Sequence, residues 1–272
     1  MKVITVINDQ NNMGFNLLRL SCALNDLELI TLVSDEKKFS SNRIKDMLLK
    51  HYLDQVEDPD EVIFFTDGMD AIMLAGEEEI LSKYKAAGKR LLFSCESDCW
   101  PDPGLAPQYP AISAKTKYRY LNSGGFIGTA GIIRQLLDET PANCHHYEGS
   151  NQYVWTKRYF MHPHLMGLDT ACDIFHTFSP EVGKHSLPEG AFYDYMPYYM
   201  SMKHWFRSNF NMQNNRLYSK IAQTWPCQAH FNGYSKCLID YEMIDLVFSK
   251  IPRFRQPQFI YESSRNTIAI TA

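Results

Sequence analysis

Two aspartates, Asp67 and Asp70, close the run Val62-Ile63-Phe64-Phe65-Thr66-Asp67-Gly68-Met69-Asp70. The apolar residues ahead of them have the composition of a strand buried on both faces, as in a parallel sheet. In open α/β sheets a ligand lies outside the carboxyl ends of the strands, so both carboxylates project toward it. Two hard oxygen donors at this spacing can share one divalent cation and still leave positions for phosphate oxygens and water. A transferase that uses a nucleoside-diphosphate sugar needs such a cation, because the charge on the departing diphosphate has to be neutralised. A purely structural alternative has Asp67 opening a turn and Asp70 capping a helix over Ala71–Ala75.

The elements needed to position that turn can be read around it. Val3–Ile7 is a buried strand, followed by a polar loop from Asn8 to Gly14. Apolar residues then recur at helical spacing from Phe15 to Leu24, and Leu27–Val33 reads as a second strand. Arg43–Leu53 and Glu77–Ala87 read as helices, the second with its three acids at the positive N-terminal end. Arg90–Ser94 is a further strand, and Cys99–Gly104 is a loop by its prolines and glycine. Strands alternating with helices predict an α/β chain with a Rossmann-type, mainly parallel sheet flanked by helices. Tyr120–Gly128 reads as a strand holding paired glycines, which marks a close approach to the backbone. Helices are expected at Ile132–Leu137 and Asn151–Phe160, a short strand at Asp169–Phe175 and a last helix at Tyr241–Phe248. After Pro188 the alternation stops, and aromatics, Met and Asn dominate.

With 272 residues and 45% hydrophobic content the chain can bury a full α/β core. No apolar run approaches the ~20 residues of a membrane span, and the N-terminus lacks a signal-peptide core. Seven cysteines without a framework read as thiols of a reducing compartment, so the expected location is cytoplasmic, or host cytoplasm for a viral protein. Cys95 and Cys99 have metal-ligand spacing, but no second pair completes a site. The charge is uneven: residues 1–194 hold 27 of the 31 acids and 18 of the 27 Lys+Arg, a net −9, leaving +5 for residues 195–272. Tyr195 to Ile239 contains no acid at all.

Several stretches together resemble the glycosyltransferase domain of the procollagen lysyl hydroxylases and, more distantly, the collagen galactosyltransferases. They are Phe64–Asp70, Cys99-Trp100-Pro101-Asp102, Gln108-Tyr109-Pro110, Tyr120-Leu121-Asn122-Ser123-Gly124-Gly125-Phe126-Ile127-Gly128 and His230-Phe231-Asn232-Gly233-Tyr234-Ser235-Lys236, with a weaker match at Leu168-Asp169 and Ile174-Phe175. The resemblance implies a GT-A fold, a UDP-sugar donor and Mn²⁺ (or Mg²⁺), with Asp67, Asp70 and His230 as metal ligands. It implies one GT-A domain over residues 1–272: a nucleotide-sugar core at 1–194 and an acceptor-side region at 195–272 that carries the third ligand. Gly233 would let the backbone approach phosphate and Lys236 would give it charge. Asn8, Met69, Trp100, Asn122 and Asn232 complete the expected donor-binding set. Two departures stand out. The family's acids near the sugar are replaced by Ser150 and Asn151, and a family lysine aligns with Ser41, for which Lys37, Lys38, Arg43 or Lys45 could substitute. An inverting transfer needs a carboxylate base, for which Asp102, Glu148 and Asp169 are candidates. A retaining transfer can use the leaving phosphate instead.

The acid-free stretch bears on the acceptor. Lys203, Trp205 and Arg207 interleave cations with rings, the pattern of nucleic-acid grooves. The preferred acceptor is therefore a flipped 5-hydroxymethylpyrimidine in DNA, as in viral or phage DNA modification. Hydroxylysine in a collagen-like protein or a saccharide is the second reading, and a nucleic-acid- or sugar-binding module with lost turnover is the third. No membrane or obligate protein partner is expected.

Overall fold

The computed structural model describes residues 1–36, 39–111, 116–142, 144–178, 195–213 and 216–250, with two later strands, Phe259–Glu262 and Thr267–Ile270, that pair with each other. Lys37, Lys38, Arg253 and Arg255 lie outside the described residues.

A six-stranded sheet forms the centre. Its strands are β1 (Lys2–Ile7), β2 (Leu29–Val33), β3 (Val62–Thr66), β5 (Leu91–Glu96), β6 (Tyr120–Thr129) and β7 (Met166–Leu168), in the order β2-β1-β3-β6-β5-β7. β1 pairs in parallel with β2 and β3, and β5 with β7; β6 alone runs antiparallel between β3 and β5. The expected α/β class with a mainly parallel sheet flanked by helices is what the chain adopts. Helices α1 (Met13–Leu24), α2 (Arg43–Leu53), α3 (Glu77–Ala87), α4 (Ala130–Asp138) and α5 (Asn151–Met161) cover it. The continuous apolar run of β3 follows from this layering. Phe65 packs with Phe93, Phe126 and Trp155 on the α2/α4/α5 side, while Phe64 packs with Leu18, Ile80 and Phe175 on the other. Alternate side chains of one strand thus enter two different cores.

A second, three-stranded sheet carries the chemistry: β4 (Ala71–Met73), β8 (Phe175–Thr177) and β11 (Gln228–His230), in the order β4-β11-β8. The helix allowed at Ala71–Ala75 is therefore strand β4, whose backbone is taken by antiparallel pairing with β11. The strand expected at Asp169–Phe175 is instead a turn between β7 and β8, built on the Asp169 carboxylate. The C-terminal part adds α6 (Tyr195–Asn209), the hairpin β9 (Phe210–Gln213) and β10 (Arg216–Ser219), and α7 (Ile244–Phe248), which is preceded by a π-helical turn, Ile239–Met243. These pack on β4 and β11 through a third core that includes Phe178, Phe206, Phe210 and Phe231. Among the described residues no helix is long and apolar enough to cross a membrane.

Candidate active site

Asp67 and Asp70 sit on the turn between β3 and β4, and two backbone bonds clamp that turn. The Asp67 N–H donates to the Gly124 carbonyl at 2.9 Å, and the Phe231 N–H donates to the Asp70 carbonyl at 2.7 Å. The β4–β11 register sets His230 opposite Ala71, the residue after Asp70. Sheet pairing thus carries a residue 160 positions away in sequence up to the two carboxylates. One ligand atom from each of Asp67, Asp70 and His230 lies within 4.8 Å of the others. The His230 Nε2 is 3.4 Å from Asp70 Oδ1 and 3.6 Å from Asp67 Oδ2. His230 is buried, and neither ring nitrogen has a hydrogen-bond partner. An imidazole buried without partners beside two carboxylates is a fitting donor set for a borderline divalent cation.

The paired glycines of β6 make room for this imidazole. A Cβ on Gly124 would lie 2.1 Å from His230 Cε1 and 2.7 Å from Nδ1, while one on Gly125 would strike Phe175 and Gln228. The close approach expected from the glycines is that of the facing sheet.

Cations surround the carboxylates. Lys45, on α2, pairs with Asp67, and Lys236 lies 3.0 Å from Asp70 Oδ2. Burial alone would raise the Asp70 carboxyl, but His230 and Lys236 outweigh it and hold the group well below the usual carboxylate range. Conversely, Asp70 holds the Lys236 ammonium above its ordinary value. Of the substitutes for the family lysine, Lys45 therefore reaches the cluster, whereas Arg43 faces Asp46 at 3.7 Å. Ser41 donates to the Gly149 carbonyl, tying α2 to the start of α5.

Glu96 is the carboxylate that sequence reasoning missed. It ends β5, is buried, and accepts from Gln152 Nε2 and, at 3.0 Å, from Asn232 Nδ2; Asn122 bonds it as well. Burial pushes its carboxyl up to about 7 against the pull of those hydrogen bonds. The signal was available, since Glu96 stands at a strand's carboxyl end as Asp67 does. The same Gln152 Nε2 donates to the carbonyl of Trp100, whose side chain is 54% exposed. Ser150 caps α5 by accepting from the Tyr153 N–H, and Asn151 accepts from Ser123 Oγ.

The three expected bases have the following surroundings. Asp169 accepts three backbone N–H groups, from Asp173, Ile174 and Phe175, and so shapes the turn into β8. Asp102 accepts from the Gly104 N–H and caps a 3-10 turn, Pro103–Gln108. Glu148 is exposed after a 3-10 turn, His145–Tyr147. On the donor side, Asn8 follows β1, and the Met69 carbonyl lies where a Cβ on Gly14 would come within 1.8 Å, packing the turn on the start of α1. Asn122 and Asn232 point to Glu96, and Gly233 has a φ of 53°. In α6, Lys203 and Arg207 lean toward Glu242, at 3.9 and 3.4 Å, and the half-buried ring of Trp205 packs on Phe178 and Phe210.

The family model described as the PLOD GT domain matches residues 1–192. Human multifunctional procollagen lysine hydroxylase and glycosyltransferase LH3 is 30% identical over 187 residues, 67% of this chain and 22% of its own length. Uncharacterized protein R699 of Acanthamoeba polyphaga mimivirus is 27% identical over 203 residues, 73% of this chain and 36% of its own. The chain thus spans well under half the length of either relative. Among solved structures, the galactosyltransferase LgtC in complex with donor and acceptor sugar analogues aligns with a TM-score of 0.48 at 10% identity, covering 92% of this chain and 96% of that one.

Proposed function

Because the chain belongs to the glycosyltransferase-domain family of the procollagen lysyl hydroxylases, we propose that Asp67, Asp70 and His230 hold a divalent cation on which a UDP-sugar donor is bound. The observation that carries this reading is the convergence of two carboxylates and one buried, unpartnered imidazole from separate segments of the chain. An imidazole in the set favours Mn²⁺ over Mg²⁺, which prefers oxygen ligands. When bound, the cation would neutralise the diphosphate as it leaves. Lys236 adds a positive charge at the same end, on a side chain that is 59% exposed. Gly233 supplies backbone that can lie against a phosphate, and Asn8 and Met69 border the nucleoside side. Trp100 is exposed, its carbonyl is bonded by the same Gln152 that bonds Glu96, and its ring would cover the transferred sugar.

Glu96 is the group we assign to the acceptor proton. It is tied to Asn232 and, through Gln152, to the Trp100 loop, so two segments expected to hold the donor converge on it. A carboxylate poised near neutrality suits a base that accepts a hydroxyl proton.

For the acceptor we favour the hydroxyl of a hydroxylysine-type side chain, by similarity to the LH3 relative. Hydroxymethylated duplex DNA has less support, because Lys203 and Arg207 face a carboxylate and Trp205 is engaged in packing. All seven cysteines are free, which agrees with a reducing compartment. The test is a UDP-release assay with Mn²⁺ over a panel of UDP-sugars, with hydroxylysine peptide and hydroxymethylated DNA side by side. Release that needs Mn²⁺ and is stimulated by the peptide supports the reading. No release with any donor would defeat it, and stimulation by DNA alone would restore the nucleic-acid acceptor.

A further inference from the structure

A groove of about 270 Å³ lies away from the metal cluster, between α6, the β9–β10 hairpin and the segment from the π-turn through α7. Phe206, Phe210, Met212, Leu217 and Leu246 form its apolar walls, interrupted by polar and charged side chains. Glu242 enters it from the π-helical turn Ile239–Met243. Such turns are rare and recur at functional sites. Glu242 is only 6% exposed, and its Oε1 makes no hydrogen bond. The two cations near that oxygen, Arg207 at 3.4 Å and Lys203 at 3.9 Å, do not supply one. That oxygen has cationic neighbours but no directed donor, so its hydrogen bonding, rather than its charge, is left incomplete. A second carboxylate, Asp245, also lines the groove, against the single guanidinium of Arg207.

We propose that this groove binds a primary ammonium carried on an apolar stem, with Glu242 as its anion. The ammonium is compact and brings three donors, enough to complete the Glu242 carboxylate. The rings of Phe206 and Phe210 favour a cation beside them, and the apolar walls match an alkyl stem. The volume falls just below the ~300 Å³ at which sites for drug-sized ligands begin, which sets the scale at a short alkylamine or one lysine-like side chain. Arg207 is the internal competitor. Its side chain is 60% exposed, so it can swing aside when the ligand's cation arrives. This site is independent of the transfer chemistry assigned above and stands or falls separately.

The experiment is calorimetric titration of the full chain with n-hexylamine and, as the uncharged control, n-hexanol. Hexylamine is expected to bind and hexanol not to. Glu242→Gln should weaken hexylamine at least tenfold, whereas Arg207→Ala should strengthen it several-fold by removing the competitor. The Arg207 variant keeps the test decisive if Glu242→Gln does not fold. A blocked lysine peptide run in parallel separates the two sources of this chemistry. Tighter binding than hexylamine supports a polypeptide side chain as the ligand, and weaker binding supports a free amine. Equal binding of hexanol, unchanged affinity in Glu242→Gln, or weakened affinity in Arg207→Ala would each overturn the proposal, as would no binding of either amine probe.

Discussion

Replacing Gly124 with alanine is the sharpest test of how the fold would build the proposed metal site. The added Cβ would stand 2.1 Å from His230 Cε1 and 2.7 Å from Nδ1. Carbon atoms rest about 3.5–4.0 Å apart, so the imidazole must withdraw by about 1.4–1.9 Å. The strand beneath it cannot follow, because β11 is paired with β4 on one side and β8 on the other. The ring must therefore tilt, taking Nε2 away from Asp67 and Asp70. Metal–ligand distances tolerate only about 0.2 Å, so His230 drops out as a ligand. Losing an outer-shell partner typically costs 10–100-fold in metal affinity, and losing a ligand outright should cost at least about 100-fold. The fold itself should lose only about 1–3 kcal/mol, the usual cost of overpacking. Gly128→Ala is the control: its Cβ would meet Arg90 O and Leu91 Cδ1, each at 2.8 Å, on the same strand but beside neither Asp67, Asp70 nor His230. The assay is Mn²⁺ titration by electron paramagnetic resonance without nucleotide, alongside urea unfolding of each variant. A folded Gly124→Ala protein that binds Mn²⁺ within threefold of the parent would refute the reasoning. So would an equal loss in Gly128→Ala.

Other outcomes follow from the same geometry. Lys236→Ala should weaken UDP markedly more than uridine, measured by calorimetry with Mn²⁺ present; equal losses would assign Lys236 to the fold. Glu96→Gln should lower kcat by at least 100-fold while leaving UDP affinity within about threefold, as befits a general base; a change in UDP affinity alone would move Glu96 to donor binding. Glu79 tests the electrostatics away from the site. Its burial is outweighed by Arg216 and Lys83, which lower its carboxyl from 4.5 to about 2. A carboxyl depressed in the folded state stabilises above its unfolded pKa and loses that contribution as pH falls through the folded one. Thermal unfolding should therefore show wild type ahead of Glu79→Gln at pH 6, with the gap closing as the pH drops from 4.5 toward 2. A gap that does not change with pH would show that the pair acts through packing.

The amino-acid sequence alone determined the α/β class, most element positions, and Asp67 and Asp70 as a strand-end pair. These are local properties: hydrophobic period, turn residues and a spacing within one turn. His230 could be proposed only from a matched run of residues, because its partners lie in another part of the chain. What brings it to them is the β4–β11 register, a backbone pairing that leaves no period in the sequence. The paired glycines announced a close approach, but not that an imidazole makes it. Glu96 went unnoticed because a strand-end glutamate is unremarkable until burial raises its pKa and Gln152, Asn122 and Asn232 converge on it. Asp169, a family-matched acid, spends its oxygens on backbone N–H groups, a pairing that its place in the sequence does not disclose. In the C-terminal part, composition showed cations among rings with no acid from Tyr195 to Ile239. The fold then placed Glu242, from beyond that stretch, against Lys203 and Arg207. Charge counted along a chain records which residues are near in sequence, whereas a site's field depends on which are near in space. Only tertiary packing decides the second.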